Sequence, residues 1–175
     1  MKKLLTLVYG LSFTLLLSGS AWASDTARTG QLPSIDMKFA QDAVQGGRNE
    51  VQLGQIAAEK ATDPAVREFG QRMVNDHQKA NDELNRILTE KGITIPTSTA
   101  KSTRSSGRLE DMNGADFDRA YMRDAVKDQR KDLAEFKNEA ANGRDPEIRD
   151  FAARTVPVLE QHLQMARQTG ANLPK

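Results

Sequence analysis

Apolar residues recur at three- and four-residue spacing along four stretches of the chain, and the pattern breaks between them. The clearest stretch runs from Asp63 to Leu88, where Val66, Phe69, Met73, Ala80, Leu84 and Ile87 fall on one helical face. Asp63 as N-cap and Pro64 at the first helical position mark its start, and Lys91-Gly92 its end. An earlier stretch, capped by Ser34 or Asp36 and reaching Ala61, presents Phe39, Ala43, Gly46, Gly47, Glu50, Gly54, Ala57 and Ala61. Glycine inside a helix costs about 1 kcal/mol relative to alanine. Its repeated use here marks either close contact with a neighbouring helix or room left beside Glu50. A third helix is predicted from near Asp116, with Phe117, Tyr121, Val126, Gln129, Leu133, Phe136 and Ala140 inward, and Asn142-Gly143 ending it. Asp145-Pro146 opens the fourth, which presents Ile148, Phe151, Ala152, Thr155, Leu159, His162, Leu163 and Ala166 before Gly170. Pro157 lies inside it, removes a backbone donor and predicts a kink upstream of His162.

The four stretches form an internal repeat. Moving 82 positions along the chain carries Asp42-Ala43-Val44 onto Asp124-Ala125-Val126, Phe39 onto Tyr121, and Asp63-Pro64 onto Asp145-Pro146. It also carries Val66-Arg67-Glu68-Phe69 onto Ile148-Arg149-Asp150-Phe151, with no gap. A helical hairpin therefore occurs twice. Between the copies lies a linker, residues 93–113, with a Ser/Thr-rich section and a short turn around Leu109 and Met112 that can pack on the bundle. Its length suits a crossover along a whole helix. The predicted fold is all-α: a ferritin-like four-helix bundle, residues 35–170, made of two repeated hairpins.

Each stripe carries one polar misfit: Glu50, His77, Gln129 and His162. They lie roughly 17–24 Å from the hairpin ends at 1.5 Å per residue, near mid-helix in every case, so they can share one layer. A carboxylate and two imidazoles in one layer form a candidate site for zinc, copper or iron, with Gln129, Asp76 and Asp128 as further ligands or supporting groups. The competing reading is a set of hydrogen bonds that fixes helix register. A full di-iron site is not expected. That pattern needs Glu-x-x-His on two helices, but Val74 precedes His77 by three residues and Leu159 precedes His162 by three.

The N-terminus adds an address. Lys2 and Lys3, the apolar run Leu4 to Leu17, and Ala21-Trp22-Ala23 have the form of a secretion signal, residues 1–23, with a polar and disordered lead-in at 24–34. No later stretch reaches the length of about 20 apolar residues that a membrane span needs. The whole chain has no cysteine, which excludes disulfide staples and thiolate chemistry. It carries 25 Lys and Arg, of which Lys2 and Lys3 leave with the signal, against 24 Asp and Glu, so net charge selects no partner. Nucleophile elbows, phosphate loops and nucleic-acid signatures are missing. Lys101, Arg104 and Arg108 in the linker form a candidate contact for anionic envelope surfaces, against the plainer reading of a solvated loop.

Several segments together resemble a known family. Gly46-Gly47 with Glu50 and Leu53-Gly54, Phe69 with Met73-Val74-Asn75-Asp76-His77, Lys79-Ala80-Asn81, Lys91-Gly92, Phe117-Asp118-Arg119-Ala120-Tyr121-Met122, and Leu159 with His162-Leu163 are similar to the domain-of-unknown-function 4142 family. The resemblance spans about residues 35–169 and implies a ferritin-like bundle in an exported bacterial protein, often labelled a predicted outer membrane protein. In that family the third helix commonly carries Asp-His, where this chain has Asp128-Gln129. The expected function is an exported periplasmic or envelope bundle without evident catalysis, an interaction or stress-associated protein. Its partners would be envelope components and not nucleic acid. The alternative is a metal-binding protein with a mid-bundle Glu/His site.

Overall fold

The computed structural model describes residues 31–96 and 104–174. The residues of the expected secretion signal, the lead-in as far as residue 30 and the section 97–103 with Lys101 lie outside the described residues. The elements in order are α1 (Ser34–Lys60), α2 (Pro64–Glu90), α3 (Arg104–Glu110), α4 (Gly114–Asn142) and α5 (Pro146–Asn172). Asp63 caps α2 by accepting from the Ala65 N–H at 2.8 Å, and Asp145 caps α5 by accepting from Glu147 and Ile148. At the far end of α2, Gly92 takes φ of 71°, its N–H bonds Thr89 O and the Ile93 N–H bonds Leu88 O at 2.8 Å. This is a Schellman stop, and it places Ile93 in the core. α5 runs on through Pro157 as one helix.

α1 packs on α2 and α4 on α5, and the hairpins meet through α1 against α4 and α2 against α5. Two aspartates fix how they meet. Asp118, in the first turns of α4, accepts from Thr62 N–H (3.1 Å), Thr62 Oγ1 (2.6 Å) and Asp63 N–H (2.8 Å) at the break between α1 and α2. Asp36, in the first turn of α1, accepts from Arg144 N–H (2.8 Å) and Asp145 N–H (3.0 Å) at the break between α4 and α5. Each hairpin's first helix thus starts beside the other hairpin's break. α4 runs antiparallel to α1, and the order is up, down, down, up. The connection from Lys91 to Asn113 must then travel the length of the bundle, roughly 40 Å for a 27-residue helix. Within it α3 seats Leu109 fully in the core. The sequence offers Ser34 or Asp36 as the cap of this helix; instead α1 begins after Pro33 with no side-chain cap, and Asp36 serves the opposite hairpin.

The small face of α1 is a contact surface. A Cβ on Gly54 would lie 2.8 Å from Gly70 O, and one on Gly70 would lie 2.8 Å from Ala57 Cβ, so α1 and α2 touch backbone to backbone there. Gly47 makes room for Asn81, whose Oδ1 would sit 2.0 Å from an added Cβ, whereas Gly46 faces open space. Two apolar clusters result. One holds Leu53, Ala57, Val66, Phe69, Met73, Leu109, Phe117, Tyr121, Met122 and Ala166, and the other Phe39, Val44, Leu84, Ile87, Leu88, Ile148 and Phe151. Burying one such large side chain contributes about 1.5–3 kcal/mol. Glu50, His77, Gln129 and His162 are buried between the clusters along the helices.

Asp118→Ala strands two backbone N–H groups and one hydroxyl, so it should cost about 3 kcal/mol, given 1.5–3 for hydrogen bonds to a charged group. The expected loss in melting temperature is about 6–12 °C, read by circular dichroism, against about 1 kcal/mol for Asp63→Ala, which removes only a cap.

Candidate functional site

The mid-bundle layer has two sides with different chemistry. On the α2–α5 side, His77 and His162 face each other with ring centroids 5.3 Å apart and planes tilted by 36°. His162 Nε2 lies 2.9 Å from Asp76 Oδ2, and Asp76 is also gripped by Arg72 Nε at 2.5 Å. Burial works against the Asp76 charge, but the bonds from His162 and Arg72 outweigh it and hold the carboxyl below its ordinary range. An ionised Asp76 only accepts, so the His162 proton sits on Nε2 and Nδ1 carries a bare lone pair. That Nδ1 is buried with no hydrogen-bond partner.

His77 Nε2 lies 3.4 Å from Gln129 Nε2, a long bond in which the amide N–H donates to the ring. Gln129 Oε1 is buried and unpartnered. Burial, reinforced by the neighbouring His162, lowers His77 to about 3. Burial also lowers His162, against the pull of Asp76. Both rings are neutral at physiological pH. A groove of about 280 Å³ between α2 and α5, lined by Asp76, His77, Ala80, Thr155, Leu159 and His162, opens onto the pair. Arg154 and Glu83 close an ion pair of 2.7 Å at its edge.

The α1–α4 side is acidic. Burial pushes the Glu50 carboxyl well above its ordinary range, and Asp132 and Asp128 push it further. Burial likewise raises Asp132 to about 6, and raises Asp128 with Asp124 adding to it. Tyr121 has a buried hydroxyl without a partner and is raised by burial and then by Glu50. The charge neighbours of Glu50 are therefore on α4, and those of the histidines are Asp76 and Arg72 on α2. Among the described residues no group of three or more His, Asp or Glu side chains is placed to hold a metal ion. The sequence-predicted set thus divides: His77, His162, Gln129 and Asp76 come together, while Glu50 and Asp128 belong to the acidic side. Of the linker cations, Arg108 pairs with Asp124 of α4, Arg104 begins α3, and Lys101 lies outside the described residues.

Four long helices in a square with a polar layer at mid-height define a ferritin-like helical bundle. The chain belongs to the family described as domain of unknown function DUF4142, whose family model matches residues 21–169. No curated protein matches it. Among solved structures it is similar to a DUF305 protein from Streptomyces coelicolor, named as a candidate secreted protein, at 13% identity and TM-score 0.67 over 81% of this chain and 98% of that one. A two-domain protein from Anabaena variabilis with DJ-1/ThiJ/PfpI-like and ferritin-like domains matches at 18% identity and TM-score 0.66, over 82% of this chain and 42% of that one. CopM in its silver-bound form matches at 14% identity and TM-score 0.66, over 80% and 98%, and CopM has also been solved with Cu(II). At these identities the likeness shows the fold.

The lowered histidines make stability sensitive to acid. Their folded values lie below the ordinary 6.5, so the unfolded chain takes up protons first and stability is lost as pH falls below about 6.5 toward 3. For His77 alone the loss by pH 4 is roughly 3 kcal/mol. Denaturant midpoints between pH 7 and 4 should fall less steeply in His77→Gln than in the unaltered protein, and ring NMR at pH 5 should find His77 still neutral.

Proposed function

We propose that this chain is an exported protein of the periplasm or cell envelope that acts by binding rather than by turnover, and that its mid-bundle layer takes up a transition-metal ion on His77 and His162. The observation that carries the reading is the buried, partnerless Nδ1 of His162. A histidine that ligates a metal almost always gives its other ring N–H to a carboxylate, which fixes the tautomer and strengthens the ligand nitrogen. His162 already makes that bond to Asp76, and its free nitrogen sits beside a second neutral imidazole. Metal–nitrogen bonds of about 2 Å suit two rings whose centroids are 5.3 Å apart. With both rings neutral at physiological pH, no proton competes for the site there.

Two imidazoles without a third His, Asp or Glu suit an ion that accepts few ligands, such as monovalent copper or silver, better than a closed four-ligand zinc site. Gln129, whose amide nitrogen touches His77, offers Oε1, also unpartnered, as a further oxygen donor on the His77 side. A bound ion would supply the positive charge that these lone pairs lack. Glu50, whose carboxyl its surroundings push upward, serves the acidic side of the core in this reading. CopM, which shares the fold, is a silver- and copper-bound protein, and this supports the choice of metal. The secretion-type N-terminus and the likeness to a candidate secreted protein support the address. No helix among the described residues is long and apolar enough to cross a membrane.

Protein beginning at Ser24, purified without chelator or affinity-tag metal, should carry or take up one ion per chain by elemental analysis after addition of copper, silver or zinc salts. Its melting temperature should rise, with about 2.7 kcal/mol gained at a hundredfold excess over Kd. His77→Ala and His162→Ala should each abolish uptake while the helices persist, and Asp76→Asn should weaken it by about 10–100-fold. Metal-free protein whose melting is unchanged by every ion would overturn the metal reading. The layer would then be a hydrogen-bonding device, and binding would have to be sought on the surface.

A further inference from the structure

The two hairpin breaks occupy equivalent places in the repeat but are fastened differently. The 82-residue shift places Asp36 on Asp118, Thr62 on Arg144, Ala57 on Glu139 and Ala61 on Gly143. At the first break both oxygens of Asp118 are satisfied, Oδ1 by Thr62 N–H and Oδ2 by the Thr62 hydroxyl and Asp63 N–H. At the second, Asp36 Oδ1 takes both backbone N–H groups. Arginine replaces the threonine, so the hydroxyl donor is gone, and Asp36 Oδ2 is buried without a partner.

Glu139 fills that place. Its side chain is 1% exposed, neither carboxyl oxygen has a donor, and it lies within hydrogen-bonding reach of Asp36. Gly143 is what lets it lie there, since a Cβ at that position would be 2.4 Å from Glu139 Oε1. The φ of Gly143 is −57°, so the glycine is required for space and not for conformation. Two carboxyls that face each other in a buried site cannot both be ionised at low cost, but with one proton between them they form a strong O–H···O bond.

We propose that Glu139 carries the proton of a carboxyl–carboxyl pair with Asp36, that this bond does the work of the Thr62 hydroxyl in the other hairpin, and that it forms a pH-sensitive clasp between the α4–α5 break and the start of α1. Raising the pH removes the proton and sets two negative charges against each other, loosening this end of the bundle.

Among the described residues, Lys38, Lys131 and Lys91 are each engaged with other carboxylates. From α1, Lys38 is occupied by Asp42 at 2.5 Å; from α4, Glu135 is paired with Lys131 at 3.1 Å. Lys91, beyond the end of α2, goes to Asp145 at 2.9 Å and Glu147 at 2.5 Å. Burial raises Glu139 to about 7, with Asp36 and then Asp145 adding to it. A folded value above the unfolded one means that the contribution is fully present below about 4.5 and is lost as pH rises through 7. A groove of about 180 Å³ lined by Lys38, Phe39, Asp42, Glu135, Asn138 and Glu139 gives solvent protons a route to the pair.

The test is a carbon-detected NMR titration of the full bundle from pH 5 to 9, with melting curves at the same pH values. The Glu139 carboxyl should show a midpoint near 7, and the Arg144 and Asp145 amides should move with the same midpoint. Glu139→Gln keeps a donor toward Asp36 but cannot titrate. Those amides should lose their inflection in this variant, and its melting temperature should fall less than that of the unaltered protein between pH 6 and 8.5. Asp132 and Glu50 titrate in both proteins, so the difference isolates Glu139. A Glu139 midpoint in the ordinary range near 4.5, or amides without an inflection, would overturn the clasp. If Glu139→Gln does not fold, the carboxyl and amide titration of the unaltered protein decides alone.

Discussion

The structure depends on a reciprocal constraint: each hairpin's break is held by an aspartate from the first helix of the other hairpin. Asp118 holds Thr62 and Asp63, and Asp36 holds Arg144 and Asp145. Backbone N–H groups at a helix start must find partners, and here they find them only when the hairpins meet at one height. A slip by one turn, about 5.4 Å, would break both sets of bonds together. This shared register brings His77, Gln129 and His162, which come from three helices, to the same height.

A polar layer in a helical core is costly unless its groups are neutral or paired. Here both solutions are used, on opposite sides. On the α2–α5 side the imidazoles are kept neutral by burial, and the single charge, Asp76, is bonded to His162 and Arg72. On the α1–α4 side burial, helped by Asp132 and Asp128, favours the protonated form of Glu50. The two sides meet at His77, which with Asn81, Asp132 and Phe151 lines a narrow cavity of about 20 Å³, room for about one water. What stays unsatisfied in the layer is two acceptors, His162 Nδ1 and Gln129 Oε1, and the Tyr121 hydroxyl, which can also accept. A layer short of donors rather than acceptors is one that a cation can complete.

Much of this was legible in the residues. Asp63-Pro64 and Asp145-Pro146 gave both hairpin breaks, and the stripes gave the four long helices within a few residues. The misfits named the polar layer because a polar side chain in an apolar stripe has few places to go. The pairing within the layer was not legible, since spacing along one helix gives height but not rotation about the bundle axis. Glu50 therefore looked equivalent to the histidines, although its charge neighbours are Asp128 and Asp132. Ser34 and Asp36 both carry the signal of a local cap, because short-range signals dominate a single sequence. The signal that finds the true partner of Asp36 is the repeat itself, which sets it on Asp118 inside the Phe117-Asp118 segment. The glycines of α1 leave two readings open, and the contacts decide for close helix approach at Gly54, which meets Gly70 of α2, while Gly47 makes room for Asn81.

The repeat also shows where the two halves have diverged, and the divergence is one of protonation chemistry. Thr62 gives the first break a donor that never titrates, while Glu139 gives the second a donor that exists only with its proton. In the same way His162 stands in the second hairpin near the height where His77 stands in the first, yet only His162 has a carboxylate to fix its tautomer. The histidines favour the fold when deprotonated and the buried carboxyls favour it when protonated. Between about pH 4.5 and 6.5 the two sets pull in opposite directions, so neither acid nor base can be resisted by both sides of the layer at once. An ion on the two imidazoles would change that balance from one side only, because it competes with protons at the histidines and leaves the Asp36–Glu139 clasp untouched.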